Sequence, residues 1–260
     1  MDDIFELEEV SKDLNGLTIN VGNENIGFEK GSDFIVSIHR DREKSSHCGC
    51  GVIIDNYLVT AGHVAVEKGT NTLMHDIYVL FKDEYIDLHD EDIVYDGRGK
   101  NDENGIHDDL IIYRFNVRSP FVLDDGDLKI GLRLCTKTFD IISKDKFQSF
   151  ESECWVKALQ SNTFSDQTKI WLNCFVVNNP SLYKEGNSGS PVFRNNNVYG
   201  ILLGGDARGN NDRLYTILKA SYIKTRLFDQ LLERRCSRFK IIRCLNKLRL
   251  SFPRKLIRNS

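Results

Sequence analysis

Between about residues 31 and 220 the apolar positions come in short runs rather than in a helical rhythm. Examples are Phe34–Ile38, Gly51–Ile54, Ile77–Phe81, Leu110–Tyr113, Lys129–Cys135, Cys154–Leu159, Lys169–Val177, Val198–Leu203 and Leu214–Leu218. They are rich in Val, Ile, Tyr and Phe and are bounded by Gly, Asn and Asp clusters, the pattern of strands and their turns. No helical stretch of roughly 10–15 residues separates them, which argues against a parallel sheet and for an all-β barrel or sandwich. The polar segment 116–127 reads as the connection between two β halves.

The rhythm changes near residue 222. Phe228, Leu231, Leu232, Phe239, Ile242 and Leu245 recur at spacings of three, four and seven, with basic residues between them. This predicts an amphipathic helix ended by Pro253. Residues 1–30 are acidic, with only scattered apolar positions, and read as a loosely attached extension. The expected organisation is thus an extension over 1–30, a β domain over 31–222 and a C-terminal helix with a basic tail over 223–260. The β domain divides into halves at about 31–118 and 126–222.

The chain has 260 residues, 40% of them hydrophobic and 28% charged. This balance excludes a disordered or collagenous chain. The net charge of −3 hides an asymmetry. Residues 234–260 carry ten Lys/Arg and no acid, so the rest holds 25 basic against 38 acidic residues. No basic, apolar leader opens the sequence and no run reaches 18 consecutive apolar residues. Neither a secretory signal nor a transmembrane helix is expected. The seven cysteines, odd in number and irregularly spaced, fit reduced thiols in a cytoplasmic compartment.

The sharpest chemical feature is Gly186-Asn187-Ser188-Gly189-Ser190-Pro191. Glycines around a serine permit a tight turn that exposes its hydroxyl. The same turn can aim the N–H groups of Gly186 and Ser188 at one point, where a carbonyl oxygen would become an oxyanion. A polar surface loop would read the same way. A serine hydroxyl needs a base. The six histidines are His39, His47, His63, His75, His89 and His107, all before Ser188. That order excludes the arrangement in which the base follows the nucleophile. His63 stands out, since it follows the apolar run Tyr57–Val59 in Thr60-Ala61-Gly62-His63-Val64. Asp109 directly precedes Leu110–Tyr113 and can reach inward from the strand end, whereas Asp108 should point the other way.

His63, Asp109 and Ser188 together follow a known triad order. On these residues the chain resembles the trypsin/chymotrypsin-fold serine proteases, in particular their glutamyl endopeptidase-like, HtrA-like and viral branches. Gly49–Val64 is similar to the strand pair leading to the histidine, Asp109–Ile112 to the aspartate box, and Gly186–Phe193 with Val198–Ile201 to the serine box and following strand. The resemblance implies two packed six-stranded antiparallel β-barrels with the site between them. It implies His63 as base, Asp109 as its orienting group, Ser188 as nucleophile and the Gly186 and Ser188 amides as oxyanion hole. Leu182, Leu202, Leu203, Gly204, Gly205 and Arg213 are the expected substrate-binding positions, with an extended polypeptide as substrate. No metal or organic cofactor is implied.

Two departures qualify the resemblance. Val64 stands where trypsin-type enzymes have a disulfide cysteine, and Asn187 where they have an aspartate that pairs with a freed N-terminus. Activation by cleavage is therefore not expected. Leu202 occupies the place of a histidine in Glu-selective members, whereas Arg213 could favour an acidic residue before the scissile bond. His47-Cys48-Gly49-Cys50 lacks the second ligand pair a zinc site needs. The basic tail could lie on an anionic membrane, with Cys236 and Cys244 as acylation sites, or contact nucleic acid. A catalytically silent binding module on the same fold is the alternative to a serine endopeptidase.

Overall fold

The computed structural model describes residues 32–67, 70, 72–98, 100–102, 105–143, 146–160, 173–179, 186–206 and 214–230. The strands of the first half are β1 (Ile35–His39), β2 (His47–Ile54), β3 (Tyr57–Ala61), β4 (Ile77–Phe81), β5 (Glu84–Leu88), β6 (Ile93–Asp96), β7 (Lys100–Asp102), β8 (Gly105–Asp108) and β9 (Leu110–Arg114). Those of the second are β10 (Val122–Leu123), β11 (Arg133–Ser143), β12 (Lys146–Ala158), β13 (Cys174–Asn178), β14 (Pro191–Arg194), β15 (Asn197–Asp206) and β16 (Leu214–Lys219). A helix over 220–230 follows.

The second half closes on itself. Its strand order is β10-β15-β14-β11-β12-β13-β16, and β15 also pairs with β16. Strands β11 to β16 therefore form a closed six-stranded barrel, with β10 laid parallel along β15. The first half is a seven-stranded sheet in the order β5-β4-β1-β2-β3-β9-β6. Its outer strands β5 and β6 do not pair among the described residues, so it is a curled open sheet where a second closed barrel was expected. The edges themselves oppose closure. β5 carries Glu84 and Asp87, β6 ends in Asp96, and its register with β9 breaks between Ile93 and Tyr95. Charge and bulges on an edge discourage further pairing.

The core follows the apolar runs. Ile38, Ile53, Leu58, Leu110, Ile111 and Ile112 are fully buried in the first sheet, and Leu134, Phe175, Tyr199 and Ile217 in the second. Each such side chain stabilises the fold by roughly 1.5–3 kcal/mol relative to exposure. Phe121 and Phe193 meet edge to face, 5.4 Å between ring centroids. Ile223 of the helix is also buried. The helix start is held by Asp125, whose Oδ2 accepts the Ser221 N–H at 3.2 Å.

Strands at 35–39, 77–81, 110–114 and 214–219 lie where the apolar runs put them. The hairpin β11–β12 reaches much further, through Phe139 and Phe147 to the pair Ser143 and Lys146. There apolar residues are scattered among polar ones, and the apolar runs mark only its barrel end. The connection 116–127 contains the short strand β10. The extension 1–30, the tail 231–260 with Leu231, Leu232, Phe239, Ile242, Leu245 and Pro253, and the positions Leu182 and Arg213 lie outside the described residues. No helix among the described residues is long and apolar enough to cross a membrane.

Candidate active site

His63 lies in the short 3₁₀ turn Gly62–Ala65 that leaves β3. Asp109 stands immediately before β9, and β3 and β9 pair so that Ala61 faces Leu110. This register brings histidine and aspartate to the same end of two neighbouring strands. The Gly62 N–H donates to the Asp109 carbonyl at 3.0 Å, continuing the ladder past the strand end. A side chain on Gly62 would strike Asp109 Oδ1 and Arg98, each 2.9 Å from its first carbon. Glycine there lets the carboxylate approach.

The carboxylate of Asp109 takes two donors from His63. Nδ1–H donates to Oδ2 at 2.6 Å and the backbone N–H donates to Oδ1 at 2.8 Å. Asp109 is buried, at 7% exposure, while the His63 side chain keeps one edge open to solvent. Burial of the ring works against its charged form, but the Asp109 hydrogen bond and negative charge outweigh it, so the His63 pKa lies above the usual 6.5.

The serine turn comes from the other half. Gly186 and Gly189 both have positive φ, +96° and +86°, which L side chains rarely adopt. The turn is docked at two points. The Cys50 N–H of β2 donates to the Ser188 carbonyl at 2.8 Å, and the Gly189 N–H donates to the Leu202 carbonyl of β15 at 2.7 Å. Thr60 supports the first contact by donating its hydroxyl to the Cys50 carbonyl at 2.6 Å. The Ser188 hydroxyl lies 3.5 Å from the Leu203 carbonyl, at the long limit of a hydrogen bond. The N–H groups of Gly186 and Ser188 have no protein acceptor among the described residues.

The expected substrate strand is only partly free. The Leu202 N–H donates to the Ser190 carbonyl at 2.8 Å and its own carbonyl is taken by Gly189. Leu202 and Leu203 are buried. Among the described residues nothing lies within 4 Å of where a Gly204 side chain would begin, whereas Gly205 lies against the Tyr215 ring.

One residue of the site was read from the sequence only as a rejected metal ligand. His47, at the start of β2, lies against Gly186: a methyl on Gly186 would stand 3.0 Å from its Cδ2 and 3.1 Å from its Nε2. Its only sequence signal is its place at the head of the run leading to His63. No group of three or more metal-ligating side chains occurs among the described residues. Cys48 and Cys50 are free thiols. Burial pushes them up to about 11 and about 12.

No protein-family profile matches the chain, and no curated protein matches it. Solved structures do resemble it. The active form of the Rv3671c protease from M. tuberculosis superposes with a TM-score of 0.54 at 15% identity, over 76% of this chain and 80% of that one. The MamO protease domain from Magnetospirillum magneticum gives 0.52 at 11% identity, over 76% and 97%. Kallikrein-related peptidase 10 gives 0.51 at 15% identity, over 79% and 98%. With its closed antiparallel barrel, its curled companion sheet and these likenesses, the chain has the chymotrypsin fold of the trypsin-like serine proteases.

Proposed function

We propose that the protein is a serine endopeptidase. The observation that carries this reading is the two-point hold of Asp109 on His63. A carboxylate accepts only, so Nδ1 must carry its proton and Nε2 is left with a lone pair able to take one. The Ser188 oxygen attacks the scissile carbonyl carbon while its proton passes to His63 Nε2. The carbonyl oxygen becomes an oxyanion between the Gly186 and Ser188 N–H groups, each donor worth about 2.7–4 kcal/mol in the transition state. His63 then gives the proton to the departing amine. Water, deprotonated by His63 in turn, releases the acyl group from Ser188.

The substrate in this reading is an extended polypeptide segment pairing along β15 at Leu203, Gly204 and Gly205. The space that the described residues leave before Gly204 supports that placement. Leu182 and Arg213 are proposed for the pocket of the residue before the scissile bond, with Arg213 favouring an acidic one.

A second reading, a silent binding module, draws on the Ser188 hydroxyl facing Leu203 instead of the imidazole. A serine χ1 has three staggered positions, and catalytic hydrogen bonds are often long or misaligned before substrate binds. Leaving a 3.5 Å contact therefore costs the hydroxyl little. Fluorophosphonate labelling of the wild type and of Ser188→Ala separates the readings. The peptidase predicts labelling that disappears in Ser188→Ala. Labelling that persists in Ser188→Ala puts the nucleophile elsewhere, and no labelling of either protein supports the silent module. A peptide-library cleavage profile, repeated with Arg213→Ala, tests the substrate preference.

A further inference from the structure

We propose that His47 is a positioning residue for the oxyanion turn, its ring acting as a wedge that carries the packing of the β11–β12 hairpin onto Gly186. The proposal rests on the peptidase reading above.

The turn at Gly186 needs such a support. Its φ of +96° lies where glycine is most permissive, so local chain stiffness does not hold the peptide planes that carry the two oxyanion donors. The Cys50 thiol reaches the Gly186 carbonyl at 3.5 Å. A thiol is a weak donor. His47 also stands against Gly186, close enough that a methyl there would fall within 3.1 Å of its ring.

The ring is held from behind. Its centroid lies 5.3 Å from that of Phe147, 6.4 Å from Phe139 and 5.5 Å from His39. Phe139 and Phe147 are stacked, with ring planes 6° apart, and face each other from β11 and β12. The wedge thus joins the first sheet, the long hairpin of the second barrel and the serine turn. His47 pairs with His39 just where the β1–β2 register breaks after Ile38. That irregularity turns both rings into the same space.

The ring nitrogens face the carbonyls of Gly186 and Ile38 without reaching hydrogen-bond geometry, and both are buried. Contact, not a formed hydrogen bond, therefore transmits the support. Among the described residues the charged and titratable neighbours are few: His39 on β1 opposes a charge on His47, Asp140 on β11 favours one, and Tyr85 on β5 packs behind His39. Desolvation by burial and then His39 bring the His47 pKa down to about 4. Protonation would place a poorly solvated charge against the turn.

The experiment compares wild type, His47→Ala and His47→Phe, whose melting temperatures are recorded first. With a peptide substrate, His47→Ala should lower kcat at least about tenfold with KM within about threefold, as a misplaced transition-state contact does. His47→Phe keeps a flat ring and should return kcat to within about threefold of wild type. In ¹⁵N-labelled protein the Gly186 amide resonance should shift in His47→Ala. It should move with a midpoint near pH 4 in wild type and stay flat with pH in His47→Phe. An unchanged kcat and unchanged Gly186 resonance in His47→Ala would overturn the proposal, as would an equal loss of kcat in both folded variants. If wild type fails to take a fluorophosphonate, the peptidase reading falls. The Gly186 resonance then still decides whether His47 braces the turn.

Discussion

Asp109 grips His63 twice, at the ring and at the backbone, through the two oxygens of one carboxylate. This fixes both the tautomer and the rotation of the imidazole from a buried strand end. In Asp109→Asn one amide oxygen survives and the other position becomes a donor. The imidazole must then place its proton on Nε2, where the proposed base function needs a lone pair. The expected loss in kcat is about 10⁴-fold, with little change in melting temperature at a pH where the imidazole is neutral. Steady-state kinetics on the folded variant checks it.

The same contact sets a pH profile. Because the His63 pKa is raised above 6.5, kcat/KM should fall on the acid side with a midpoint above 6.5. A raised folded-state value also means that the pair stabilises the fold below pH 6.5. That contribution fades as pH rises through the folded value. Asp109→Asn should abolish it, as an NMR titration of the imidazole would report. A rate flat from pH 5 to 8 would contradict the assignment of His63 as base.

His47 gives the opposite sign. Its folded pKa of about 4 lies below the ordinary 6.5. The unfolded chain therefore binds the proton first as pH falls. Stability is intact above 6.5 and declines between 6.5 and 4, by up to about 3 kcal/mol. Urea midpoints at pH 7 and 4.5 should differ less in His47→Phe than in wild type.

Gly189 tolerates no side chain. Its φ is +86°, and a methyl there would run into the Cys50 carbonyl and the Thr60 hydroxyl. Gly189→Ala should cost roughly 1–3 kcal/mol in backbone strain alone and displace Ser188 from its contact with Cys50. Calorimetry should show a lowered melting temperature, and fluorophosphonate labelling should be lost.

Thiol chemistry should leave the site untouched. Cys50 lies beside the serine turn but is buried and held as a thiol, up at about 12. The thiolate is the reactive form. Iodoacetamide at pH 7 should leave the activity of native protein within about twofold, while a serine-directed phosphonate abolishes it.

The amino-acid sequence by itself determined the elements whose signal is local. Runs such as Ile77–Phe81 and Leu110–Arg114 are apolar enough to be strands wherever they pack. Small residues before His63 and glycines around Ser188 mark sharp turns without reference to distant neighbours. Tertiary structure alone decided what depends on closure and on side-chain direction. That the second half closes while the first stays open follows from which edges can meet, and the apolar pattern is blind to it. That Leu202 spends its backbone on the serine turn, that the Ser188 hydroxyl faces Leu203, and that His47 rests on Gly186 are contacts between residues from twelve to more than a hundred positions apart. Periodicity reports which face of a strand is buried. It carries no information on which distant backbone that face is buried against.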